Sequence, residues 1–126
     1  MKVFIVEDSP AVLERLADMI GEIDGMELVG DAGTYDAAVS GIMSARPDVA
    51  VLDIKLADDR GTGIDVLVRV RPELPEMKAI VVSNYATPQH IKASADAGAE
   101  YFLDKSADLE RLCEILQLMQ DGQRDE

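Results

Sequence analysis

Short runs of consecutive apolar residues alternate along the chain with stretches in which apolar positions recur every three or four residues. Val3-Phe4-Ile5-Val6, Val49-Ala50-Val51-Leu52, Ala79-Ile80-Val81-Val82 and Tyr101-Phe102-Leu103 carry no polar interruption, and continuous apolar runs of this length read as strands covered on both faces. Strands are expected near 2–6, 27–31, 49–53, 78–82 and 100–103, with helices near 10–22, 35–45, 62–71, 88–97 and 107–119. The first helix shows the expected stripe of Val12, Leu13, Leu16, Met19, Ile20 and Ile23, leaving Glu14, Arg15 and Asp18 on the wet side. Ser9-Pro10 and Thr87-Pro88 each place a capping hydroxyl before a proline at the first helical position, where its missing N–H costs nothing. Arg46-Pro47 closes the second helix, Gly98 supplies a C-cap for the fourth and Ser106 a cap for the fifth. Strict alternation of strand and helix predicts a doubly wound α/β sandwich with right-handed crossovers. We expect it to occupy residues 1–120, followed by a polar, frayed tail over 121–126.

Ionisable residues punctuate the ends of these runs. Glu7 and Asp8 follow the first, Asp53 closes the third, Lys105 follows the fifth, and Ser83 stands directly after Val82. Doubly wound sheets bind ligands in the crevice outside the carboxyl ends of their strands. If the first and third strands are neighbours, three carboxylates converge there, and without a counter-charge at least one would have a raised pKa. Mg²⁺ resolves that conflict, because it takes oxygen ligands and tolerates a few carboxylates completed by a carbonyl and water. Lys105 adds positive charge for an anionic phosphoryl group. The set describes phosphoryl transfer to an aspartate: Asp53 as nucleophile, the metal and Lys105 neutralising oxygens, and Ser83 donating a hydrogen bond.

Composition narrows the rest. At 126 residues the chain is one domain's worth. It has no apolar stretch long enough to span a bilayer and no basic start followed by a signal-like core, so the expectation is a soluble cytoplasmic protein without membrane contact. The single cysteine, Cys113, excludes an internal disulfide and falls at helical spacing with Leu109, Leu112 and Leu116, which reads as core packing. A net charge of −13 argues against direct nucleic-acid binding and points to protein partners.

In Val6-Glu7-Asp8, in Val51-Leu52-Asp53 followed by Leu56, in Val82-Ser83 and in Gly98-Ala99 leading to Lys105, the chain resembles the receiver domains of two-component response regulators. The resemblance spans about the whole chain, and the ordered set is specific where each motif alone is weak. It implies a flavodoxin-like, five-stranded parallel sheet of order 2-1-3-4-5. It further implies Asp53 as phosphoacceptor, Glu7 and Asp8 as Mg²⁺-site acids with a backbone carbonyl from Lys55, Lys105 as phosphate partner, Ser83 as switch hydroxyl and Phe102 as switch aromatic. A histidine kinase or phosphotransfer protein would be the donor. A downstream protein would read the surface formed by the fourth helix, fifth strand and fifth helix, with the chain a monomer or a phosphorylation-dependent dimer.

Several positions depart from that pattern. The segment Leu56-Ala57-Asp58-Asp59-Arg60-Gly61-Thr62-Gly63 is two residues longer than common if Gly63 opens the third helix. Asn84 and Tyr85 are larger than the residues often found after the switch hydroxyl, and Ser106 replaces a frequent proline, which favours a trans Lys105–Ser106 peptide. Blander readings stand beside the functional ones: Asp8 as a charge at a helix start, Asp58 and Asp59 as a solvated loop, and His90 as a surface residue without neighbouring ligands. Our leading expectation is a stand-alone receiver. The alternatives are the receiver portion of a longer DNA-binding regulator, and an aspartyl-phosphate phosphatase, which would need a second acid and a substrate cap. A flavin module of similar fold is disfavoured, because Glu7 and Asp8 would repel phosphate after the first strand.

Overall fold

The computed structural model describes residues 1–58 and 60–124. Five strand–helix units follow one another: β1 Lys2–Val6, α1 Pro10–Gly21, β2 Glu27–Ala32, α2 Tyr35–Ala45, β3 Val49–Asp53, α3 Gly63–Val70, β4 Lys78–Ser83, α4 Pro88–Asp96, β5 Tyr101–Asp104 and α5 Arg111–Arg124. All strands are parallel, in the order β2-β1-β3-β4-β5. The sheet is the flavodoxin-like one expected, and the interiors of its central strands are apolar, as helices on both faces require, with polar residues only at their ends.

One core layer sets Val3, Ile5, Val49, Val51, Ile80, Val82 and Leu103 against Leu16 and Ile20 of α1 and Leu112, Ile115 and Leu116 of α5. The other sets Phe4, Val6, Ala50, Leu52 and Ala79 against Ala38 and Ile42 of α2 and Val66, Leu67 and Val70 of α3. Alternate residues of each strand feed opposite layers, as the two-residue strand period requires. Phe4 lies between Gly30 of β2 and Gly41 of α2; a Cβ at either glycine would fall 2.8 or 2.6 Å from the ring, so the ring occupies the space a side chain would take.

The caps read from the sequence hold at α1 and α4: Ser9 Oγ accepts the Val12 N–H, and Thr87 Oγ1 accepts the His90 N–H. Gly98, at φ +96°, turns the chain past the end of α4. The fifth helix differs from expectation at both ends. Residues 105–110 form turns and α5 begins at Arg111. Ser106 does not cap it: its N–H and hydroxyl both donate to the Asp104 carboxylate, at 2.9 and 2.6 Å, which holds the Asp104 pKa below its ordinary value. The hydroxyl is turned back toward that carboxylate, and the helix starts five residues further on. At the other end the helix runs to Arg124, into the stretch expected to be a tail. Gln120 is buried, and its side-chain amide donates to the Asp24 carbonyl at 2.8 Å, tying the end of α5 to the α1–β2 turn. Residues 125–126 of the expected tail, and Asp59 of the expected solvated loop, lie outside the described residues.

The long β3–α3 connection is anchored rather than loose. Ala57 donates to the Gly33 carbonyl at 2.9 Å, Asp58 accepts the Tyr35 N–H at 3.3 Å, and Leu56 is buried beneath them. Thr62 and Asp65 then form a reciprocal capping box that starts α3.

Candidate functional site

The carboxyl edge of the sheet receives residues from β1, β3, β4 and β5, because parallel strands all end on the same side. Asp53 closes β3 and is buried; Glu7 follows β1 and is also buried; Asp8 beside it is exposed. One oxygen from each of these three carboxylates lies within 4.8 Å of the other two. Lys105, just past β5, reaches back across the edge. Its Nζ lies 2.8 Å from Glu7 Oε2 and 2.9 Å from Asp53 Oδ2, with the ammonium largely buried between them. Glu7 Oε1 additionally accepts the Ser9 N–H at 3.2 Å, which couples the acid to the start of α1.

The electrostatics are frustrated. Burial pushes the Glu7 pKa up; the Lys105 hydrogen bond opposes that, and the Asp53 charge adds to it. Burial by itself would lower the Lys105 pKa, but hydrogen bonds and attraction from Glu7 and Asp53 win and raise it. Three carboxylates against one ammonium leave two formal negative charges, which one divalent cation balances. The donor set is all oxygen, hard and partly open to solvent through Asp8, and so suits Mg²⁺ rather than a thiolate- or imidazole-preferring metal.

Gly63 closes the site from behind. Its N–H donates to the Ile54 carbonyl at 2.9 Å, and a Cβ there would stand 1.8 Å from the Asp53 carbonyl oxygen. The helix therefore starts hard against the end of β3. Lys55 follows that strand end and is exposed.

Ser83 is fully buried at the end of β4, one residue beyond the Asp53–Val82 register pair, and its Oγ accepts the Tyr85 N–H at 2.9 Å. Along β5, Tyr101 is exposed, Phe102 half-buried and Leu103 in the core. Asn84 and Tyr85 are both exposed, and the Lys105–Ser106 peptide is trans. Cys113 is only half-buried, at the margin of the α1/α5 layer; burial pushes its thiol pKa up, away from nucleophile chemistry. Two features escaped the sequence reading. Glu7 faces inward as the main partner of Lys105, which no spacing rule could give, and His90 is half-buried, its ring turned back onto the β4–α4 loop.

Fold and site together define a phosphoryl-transfer receiver class, and comparison with known proteins agrees. Residues 3–117 match the model of the response regulator receiver domain, and the chain belongs to that family. It is 32% identical to the DNA-binding transcriptional activator DevR/DosR of Mycobacterium tuberculosis over 83% of this chain and 48% of that protein. It is 27% identical to the transcriptional regulatory protein DesR of Bacillus subtilis over 98% of this chain and 60% of that protein. The chain thus spans about half the length of the curated relatives it matches. The receiver domain of RcsB from Salmonella enterica, solved with phosphomimetic BeF3−, superposes with a TM-score of 0.87 at 24% identity over 97% of this chain and 89% of that one. The response regulator domain of Thermotoga maritima CheB superposes with a TM-score of 0.79 at 26% identity, over 96% and 94% of the two chains. Receiver domains of this family generally bind Mg²⁺ in an acidic pocket, and the acidic cluster here has the composition for it. Among the described residues no helix is long and apolar enough to cross a membrane.

Proposed function

We propose that this domain accepts a phosphoryl group on Asp53 from a phosphohistidine donor, a histidine kinase or a phosphotransfer protein, and that the modification resets its protein-binding surface. The observation that carries the reading is the Lys105 ammonium held at 2.9 Å from Asp53 and 2.8 Å from Glu7, at the edge where the sheet delivers three carboxylates. In the transfer, an Asp53 carboxylate oxygen attacks phosphorus, the P–N bond to the donor imidazole breaks, and the electron pair leaves with the imidazole nitrogen. The product is an acyl phosphate. Mg²⁺, held by Glu7, Asp8, Asp53 and the Lys55 carbonyl, would withdraw charge from the phosphoryl oxygens. Lys105 neutralises a second part of that charge, and its release from Glu7 is available as the phosphoryl group takes its place. Ser83 supplies a hydroxyl from the adjacent strand end, and Phe102, half-buried on β5, follows the hydroxyl's movement as the switch aromatic. We place the receiver domain at residues 1–120, with the last turn of α5 extending past that limit to Arg124.

The surface of α4, β5 and α5 is our choice for the output, read by a downstream protein in the cytoplasm; the net charge of −13 disfavours direct contact with nucleic acid by this domain. The modified domain acts as a monomer or dimerises. A second reading is favoured by the length of the relatives: this receiver operates inside a longer regulator whose remaining part binds DNA, as the M. tuberculosis relative's name states for that protein. The phosphatase alternative gains nothing from the geometry. The decisive experiment is phosphoryl transfer from a radiolabelled phosphohistidine donor to the wild type and to Asp53→Asn. Label is expected on the wild type alone, and undiminished labelling of the Asp53→Asn variant overturns the assignment.

A further inference from the structure

The β3–α3 connection crosses the end of β1. In the order β2-β1-β3-β4-β5, a segment that leaves β3 and lands on the β2–α2 turn must pass the point where Glu7 and Asp8 stand. It lands through backbone: the Ala57 N–H donates to the Gly33 carbonyl at 2.9 Å, and the preceding carbonyl, that of Ala32, accepts the Glu7 N–H at 2.9 Å. Gly33 also backs onto Asp8, since a Cβ at Gly33 would fall 3.3 Å from the Asp8 Cα. One turn, Ala32-Gly33, thus supports both carboxylate-bearing segments of the site.

Asp58 fastens the far side of that crossing. Its carboxylate accepts the Tyr35 N–H at 3.3 Å. Tyr35 is the first residue of α2, where an N–H has no partner inside the helix and negative charge is favoured. Thr34 Oγ1 takes the Ala37 N–H and leaves that of Tyr35 to Asp58. The neighbouring ion pair of Arg60 with Asp36, at 3.2 Å, is exposed on both sides and adds little. Asp58 is acidic and close in sequence to Asp53, yet it is not one of the carboxylates that converge: among the described residues those are Glu7, Asp8 and Asp53.

We infer that Asp58 is a positioning residue for divalent-cation binding: by clamping the β3–α3 loop to the start of α2 it fixes the Asp53 segment against Asp8, and it supplies no ligand atom itself. The inference rests on the reading of the acidic cluster as the Mg²⁺ site. Its sign follows from the charges. Three carboxylates face one ammonium and repel one another, so a loosened loop lets their segments separate, and a cation must then draw them together again. Mg²⁺ demands near-ideal octahedral geometry, so groups that hold its ligand segments in place raise its affinity without touching it.

The test compares wild type, Asp58→Asn and Asp58→Ala by calorimetric titration with Mg²⁺, and by urea unfolding in chelator and in saturating Mg²⁺. Both variants lose the same charge, and asparagine alone keeps a side-chain oxygen to accept the Tyr35 N–H. Losing that hydrogen bond should make Asp58→Ala bind Mg²⁺ about fivefold more weakly than Asp58→Asn, with Asp58→Asn within about twofold of wild type. By linkage, the urea midpoint of Asp58→Ala should fall further below that of Asp58→Asn in Mg²⁺ than in chelator. An anchor that only stabilised the loop would lower it equally in both. Equal Mg²⁺ affinities of the two variants, or the same midpoint difference with and without Mg²⁺, would overturn the inference. A wild type that binds no Mg²⁺ removes the metal reading and this inference with it; undiminished binding by all three proteins overturns the inference alone.

Discussion

Gly63→Ala is the sharpest test of how the site is built. The added Cβ would stand 1.8 Å from the Asp53 carbonyl oxygen and 2.8 Å from its carbonyl carbon, whereas real Cβ contacts essentially never fall below 3.0 Å. The obstacle is backbone, which has no rotamer to change. The start of α3 and the end of β3 must therefore separate by about 1.2 Å, the shortfall from that floor. That movement stretches the Gly63 N–H bond to Ile54, now 2.9 Å. Overpacking of this kind costs about 1–3 kcal/mol, and weakening a buried backbone hydrogen bond adds about 1 kcal/mol. We expect a loss of about 3 kcal/mol in urea unfolding, lowering the midpoint by roughly 1 M or more at a slope usual for a small domain. Because Asp53 itself is displaced, beryllofluoride binding should weaken in the molecules that remain folded. Gly21→Ala, with nothing within 4 Å in the last turn of α1, is the internal reference and should gain about 0.5–1 kcal/mol. A Gly63→Ala protein with an unchanged midpoint and unchanged ligand affinity would refute the close-contact argument.

Other consequences follow from the charges and staples. Lys105→Met leaves the buried Glu7 and Asp53 facing each other and should lower stability by about 3 kcal/mol in chelator, measured by urea unfolding, with part of the loss restored by Mg²⁺; an unaffected midpoint in chelator contradicts this. Asp8→Asn should leave the fold intact and weaken Mg²⁺ binding in calorimetry, since Asp8 is the exposed member of the carboxylate set; equal affinities would remove Asp8 from the metal site. Arg71→Ala should cost about 3 kcal/mol in thermal or urea unfolding, because its guanidinium donates to the carbonyls of Met77 and Gly98 and pairs with Glu100, joining the end of α3 to the α4–β5 turn. Thr62→Ala should cost about 1 kcal/mol by removing the capping box, and a larger loss would mean the loop before α3 depends on more than its cap.

Much of this protein is legible in the chain because its determinants are local. Apolar runs without interruption name the buried strands, and Ser9-Pro10 and Thr87-Pro88 name two helix starts, since caps act within three residues. The placement of Asp53 and Lys105 at strand ends is equally a matter of order along the sequence. The fifth helix departs from its expected limits for one local and one tertiary reason: the Ser106 hydroxyl donates to Asp104 two residues before it, and the buried Gln120 finds the Asp24 carbonyl, 96 residues away in sequence.

The alternation of elements, the apolar interior and the kinds of chemical group brought to one edge are all written in the linear order of residues. Which of those groups touch depends on the parallel order β2-β1-β3-β4-β5, which sets β1 beside β3 and lets Lys105 reach across to Glu7 and Asp53. The need for glycine at position 63 and the anchoring of the long loop on Gly33 and Tyr35 belong to the same level. The physical reason is one of range. Propensities and caps act over a few residues, whereas charge pairing, close backbone contact and buried hydrogen bonds exist only after distant segments have met.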